Sequence, residues 1–102
     1  MEPLEGKIRY LTIPQLKILK VLSESEFGVL DSQEIMDTTH TATATFGAYI
    51  TSLKKLKSND GQPIVIPAGR TDEGTRWQVN EKVISKEKLK QIIADLNVDN
   101  IL

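Results

Sequence analysis

The chain has no cysteine, so disulfide staples and thiolate zinc sites are excluded and a reducing compartment is the natural setting. No purely apolar run exceeds three residues, as in Ile64, Val65 and Ile66. That length is far too short for a membrane crossing, and the start from Met1 to Glu5 lacks the basic and apolar regions of a signal peptide, so a cytoplasmic location without membrane attachment is expected. His40 is the only histidine, and with no cysteine to join it a metal ligand set is not expected. The sequence shows no nucleophile–base pair, Gly-rich phosphate loop or carboxylate pair on a recognisable scaffold, so neither an enzyme nor a cofactor is expected. Repeats and low-complexity linkers are lacking too.

What remains is 102 residues of ordinary globular composition, 39% hydrophobic and 26% charged, with a formal net charge of −1. One domain with one modest core fits this length. The charge argues against an indiscriminate nucleic-acid binder, whose affinity would come from neutralising phosphates. Its distribution is uneven. Residues 23–37 carry five acids (Glu24, Glu26, Asp31, Glu34, Asp37) and no base, whereas residues 38–58 carry three lysines and no acid. Such a sign change aims one helix at a polyanion and keeps its neighbour away, or else it is chance clustering of solvated charge.

Periodicity and capping signals order the elements. Residues 1–11 have no clear period, and Lys7 to Leu11 read as a short strand or an arm. Thr12 and Gln15 have capping-box spacing, with Pro14 in the first turn, and open a helix through Leu16, Ile18, Leu19, Val21 and Leu22. Glu26 to Leu30 has room for one small strand, and Phe27 reads as core. Asp31 and Glu34 repeat the capping spacing for a short helix to Met36, followed by the turn Asp37, Thr38, Thr39, His40. Ala42, Phe46, Ile50 and Leu53 then recur at the helical period, with Tyr49 and Leu56 beside them, and predict a helix over 42–57. The cluster Ser58, Asn59, Asp60, Gly61 stops it. Ile64 to Ile66 and Arg76 to Val79 read as strands flanking an exposed hairpin loop over 67–75, with Trp77 in the core beneath it. Ser85 caps a last helix with one narrow apolar stripe (Leu89, Ile92, Ile93, Leu96), and 97–102 is a tail.

This order of helix, strand, helix, turn, helix, hairpin and helix resembles a winged helix-turn-helix domain of the small prokaryotic, archaeal or phage transcriptional regulator type. The resemblance rests on Thr12 to Leu22, Gly28 to Met36, Ala42 to Lys57 and Ile64 to Val79. It implies an α+β, mainly helical fold over 1–102. Residues 1–11 would be an N-terminal arm or strand, 12–84 the winged-helix core, and 85–102 a C-terminal helix and tail available for dimerisation. It also implies double-stranded DNA as partner, read in a sequence-dependent way by the 42–57 helix in the major groove, with the 67–75 wing on adjacent backbone or minor groove. As a fold-level likeness it leaves one rival, a winged-helix module that binds protein and not DNA. Two departures bear on this: the chain is not basic, and Asp37, Asp72 and Glu73 would lie near phosphates in the usual pose.

The expected DNA-binding residues are Thr41, Thr43, Ala44, Gly47, Ala48, Thr51, Ser52, Lys55, Arg70, Thr71 and Arg76. The first seven form a small, smooth helix face that lets the backbone approach a groove floor, with methyls for thymine and hydroxyls for base edges or phosphates; the same smoothness suits helix packing. Lys54, Lys55 and Lys57 suit phosphates and equally the carbonyl end of a helix. Arg70 and Arg76 suit a groove or backbone and equally a surface pair with Asp72 or Glu73. Tyr49 sits at the edge of the apolar face with its hydroxyl free to reach a phosphate, and His40 faces solvent or a phosphate. The stripe Leu89, Ile92, Ile93, Leu96 docks on the first helix or pairs with its copy in a homodimer, and dimerisation is the expectation.

Overall fold

The computed structural model describes residues 4–58, 60–72 and 74–96. The tail 97–102, the first three residues of the expected arm, Asn59 and Glu73 lie outside the described residues. Five helices and a three-stranded antiparallel sheet make up the described chain: α1 (Leu4–Arg9), α2 (Ile13–Glu24), β1 (Val29–Asp31), α3 (Ser32–Thr39), α4 (Thr43–Lys54), β2 (Val65–Thr71), β3 (Gly74–Val79) and α5 (Lys86–Asp95).

The sequence gives no helical period for α1, where a strand or arm was expected. Tertiary burial decides it. Leu4 and Ile8 are one helical turn apart; Ile8 is fully buried and Leu4 and Leu11 pack against the core. Lys7 Nζ then donates to the Lys57 carbonyl at 3.1 Å, tying α1 to the segment beyond α4.

Helix α2 starts as its capping signal predicts, with the Thr12 N–H donating to Gln15 Oε1 at 2.9 Å and Pro14 in the first turn. Its wide apolar arc is buried on several sides, against α5 most extensively and then α3, β3 and α4. Phe27 is a correction: it is 75% exposed. The chain is still turning there, through Gly28 at φ +69, and β1 begins only at Val29, so Phe27 falls outside the pleat that would have pointed it inward.

Helix α3 runs to Thr39, past the expected end at Met36, because the Thr39 hydroxyl donates back to the Ile35 carbonyl at 2.7 Å. His40 ends it in the left-handed conformation, φ 55. Ala42 is a second correction: it is the exposed N-cap of α4, one residue before the helix begins, and not part of the buried face. Phe46, Ile50 and Leu53 do form that face. Helix α4 ends at Lys54 and not Lys57, since Leu56 and Lys57 turn into a tight loop in which Ile64 N–H bonds the Leu56 carbonyl and Lys57 bridges Pro63.

The strand order is β1-β3-β2, with Leu30 opposite Trp77 and Pro67 opposite Trp77 on the other side. The loop expected over 67–75 is mostly strand. Pairing continues to Thr71 and Gly74, interrupted by an irregularity between Pro67 and Arg70 where proline supplies no ladder donor and Gly69 takes φ +102. Gly74 takes φ +106 at the turn, a conformation that favours glycine, while a Cβ there would meet Ser32 Cβ only at an ordinary contact distance of 3.4 Å.

Trp77 is buried as predicted, 8% exposed, with Nε1–H donating to Ser32 Oγ at 3.0 Å; Ser32 in turn donates to the Thr75 carbonyl at 2.7 Å. Asn80 is buried and satisfied: its amide donates to the Pro63 carbonyl at 2.9 Å and its Oδ1 accepts from Lys82 N–H at 3.2 Å.

Helix α5 starts at Ser85, whose Oγ accepts from Lys88 N–H at 3.1 Å. Leu89, Ile92 and Ile93 are 0, 1 and 2% exposed, inside this chain, and Leu96 packs partly buried beside them. Of the two outcomes expected for the stripe, docking on the first helix is the one seen: α2 receives it, and Leu89, Ile92 and Ile93 present no face to a second copy.

Candidate nucleic-acid interface

With Phe46, Ile50 and Leu53 turned inward, the opposite face of α4 has to look outward. Thr43, Ala44, Thr45, Gly47, Ala48, Thr51 and Ser52 are all exposed, as is Lys55 at its end; Thr41, in the preceding turn, is half-buried. Among the described residues no other element covers this face. A Cβ built on Gly47 would meet nothing within 4 Å. Glycine inside a helix costs about 0.5 to 1 kcal/mol relative to alanine, and no packing contact among the described residues requires it here.

The hydroxyls are not all equivalent. Thr51 donates to the Gly47 carbonyl at 2.8 Å and Ser52 to the Ala48 carbonyl at 3.1 Å. Each has spent its only hydrogen, so in this state both offer acceptor lone pairs, which suit base amino groups and not phosphate oxygens. Thr41 is spent as well. The hydrogen of Thr39 goes to Ile35, so the 2.7 Å contact between the two threonine hydroxyls has Thr41 as donor. Thr43 and Thr45 have no such bond. Ala42 offers no side-chain cap, so the first-turn N–H groups of α4 point out of the helix start without an acceptor from that residue.

The cations also divide. Lys54 Nζ sits 5.5 Å from the centre of the Trp77 ring, a cation–π contact that braces α4 against β3. Lys55 and Lys57 are exposed. On the hairpin, Arg70 is exposed, opposite Thr75, with no partner among the described residues. Arg76 was expected to be free or paired with Asp72 or Glu73. It is paired with Asp31 instead, Nε to Oδ1 3.2 Å, because β1 and β3 place those two residues opposite each other. Thr71 Oγ1 donates to the same Asp31 oxygen at 3.3 Å. Arg76 remains 52% exposed, so Asp31 restrains it without covering it.

His40, in the turn, and Tyr49, half-buried at the edge of α4, line an open cleft of about 360 Å³ between the start of α2 and the start of α4. Lys17 lines it too, and sequence reasoning missed that residue: one lysine on an amphipathic helix carries no local mark of the cleft it faces. Asp31 was read as a helix cap and as one acid of the 23–37 cluster, and its pairing with Arg76 depends on a cross-strand register that no local pattern reveals.

Among the described residues no group of three or more His, Cys, Asp or Glu side chains could hold a metal ion. No described helix is long and apolar enough to cross a membrane. No family model, curated protein or solved structure matches this chain.

Proposed function

We propose that the chain is a winged helix-turn-helix domain that binds double-stranded DNA, as a small transcriptional regulator does, with α4 in the major groove and the β2–β3 hairpin on the adjacent backbone. The observation carrying this reading is the uncovered α4 face. It combines small side chains, acceptor hydroxyls and an unpacked glycine with a helix start whose amides lack a side-chain cap, and it is served by an exposed hairpin bearing Arg70. Small side chains let the helix axis lie close to base edges, and uncapped amides are ready donors to a phosphate. The strand order β1-β3-β2, with α3, turn and α4 between β1 and β2, supports the same reading.

No arginine or asparagine stands on that face for bidentate base contact, so sequence preference comes from methyl and hydroxyl contacts and from DNA shape. The binding unit in this reading is the single domain, since the α5 stripe is internal.

The test is a titration of duplex DNA at several salt concentrations. Affinity falls steeply with salt, and replacing Arg70 or Lys55 by alanine lowers the slope of log K against log [salt] by about 1 each. No binding at about 50 mM salt removes the proposal and leaves the protein-binding rival, because non-specific affinity is already measurable there.

A further inference from the structure

The cleft between α2 and α4 has a one-sided chemistry. Lys17 and the half-buried Pro14 line it from α2, His40 from the turn, and Thr45 and Tyr49 from α4, with Thr39, Thr41 and Ala42 completing the wall. Lys17, His40, Thr45 and Tyr49 have no hydrogen-bond or ionic partner among the described residues, so a cation, an imidazole and two hydroxyls reach one cleft with donors unspent. None of its eight lining residues is acidic, in a chain with 14 Asp and Glu.

The one formal charge in the cleft is positive, no carboxylate opposes it, and the imidazole and hydroxyls can add donors, so the cleft favours an anionic ligand. No arginine is present to grip a planar carboxylate with two parallel bonds, whereas a lysine surrounded by dispersed hydroxyls suits the several oxygens of a phosphate. A volume of about 360 Å³ lies in the range of small-molecule sites and far exceeds one phosphate group. The Pro14 and Tyr49 rings supply an apolar surface for whatever the phosphate is attached to. We infer that this cleft binds a phosphate ester, with Lys17 as the charged anchor and Tyr49 as both hydroxyl donor and wall. The ester is either a free phosphomonoester or a backbone phosphate of bound DNA; the chemistry is shared and the sources are separable.

The experiment is an amide-resolved NMR titration of the full chain with adenosine 5′-monophosphate, against adenosine and against sodium chloride at equal ionic strength. Saturable shifts at residues 40–45 and 49 are expected with the monophosphate alone, and Lys17→Gln weakens them by about tenfold to a hundredfold, the range for losing one charge-assisted bond. Tyr49→Phe, which keeps the ring, serves in its place if the amide spectrum of Lys17→Gln shows a lost fold. Equal shifts with chloride, or unchanged affinity in the folded variant, overturn the site. Duplex DNA identifies the source: with Lys17→Gln a salt slope lower by about 1 assigns a backbone phosphate and an unchanged slope a free phosphomonoester, and with the uncharged change Tyr49→Phe weakened duplex binding assigns the first and unchanged binding the second. If the chain binds no DNA at all, the proposed function fails while the monophosphate result still decides this site.

Discussion

Helices α4 and α5 both invite a functional reading, and the structure treats them in opposite ways. Helix α5 has the sharper amphipathic pattern, four apolar residues in one stripe, and that stripe is almost wholly inside the molecule against α2. Helix α4 has the weaker contrast, because its outer face is alanine, glycine and threonine, and this face is left uncovered. A strong apolar stripe measures how much a helix gains by burial, and in a chain this short the first surface available is its own core. A face that gains little from burial and is still kept small calls for another explanation, and a close-fitting partner supplies one.

The largest effect should come from Ile92→Asp. A carboxylate at a position 1% exposed, among leucines and isoleucines, is expected to cost about 3 to 5 kcal/mol, a large part of the stability of a domain this size. Thermal unfolding followed by circular dichroism should show a collapsed midpoint. If instead the variant keeps its midpoint and only its sedimenting mass falls, the stripe joins subunits and the contrast between the two helices is gone.

A smaller effect tests how α5 is fastened. Lys86 Nζ, at the start of α5, donates to the carbonyls of Ser25 and Glu26 just past the end of α2, so Lys86→Met keeps the stem and removes the donor. A loss of about 1 to 2 kcal/mol in chemical denaturation is expected, with DNA affinity unchanged. Altered DNA binding at unchanged stability would place the α5 end of the molecule in the interface and α4 out of it.

The elements with local signals were legible in the sequence. Thr12, Asp31 and Ser85 each announced a helix start, and the period through Phe46, Ile50 and Leu53 fixed which face of α4 is inward. What was not legible depended on contacts far apart in the chain. The helix over Leu4–Arg9 exists because Ile8 finds the core. The hairpin pairs as far as Thr71 and Gly74 because β3 pairs along its length, and Phe27 is outside because β1 starts at Val29, three residues later than its composition suggested. In the site, exposure of the α4 face could be read from periodicity. The Arg76–Asp31 pair and the Lys17 cleft could not, since residues 45 apart and a helix–helix gap leave no local pattern.

The mildest substitution separates the two helices most cleanly. Gly47→Ala adds a methyl where nothing lies within 4 Å, at a helical backbone position with no positive φ to favour glycine. In isolation the chain should gain about 0.5 to 1 kcal/mol, seen as a raised unfolding midpoint. On α5 a comparable change, Ile93→Val, should lower the midpoint by a similar amount, because a methyl removed from a filled core leaves a void. Affinity for duplex DNA then decides what the α4 face is for. If the backbone at Gly47 lies against a groove floor, the added methyl weakens binding even as it stabilises the fold. If binding is unchanged while stability rises, the glycine serves neither packing nor close approach, and Arg70 and Lys55 become the residues on which the DNA reading has to rest.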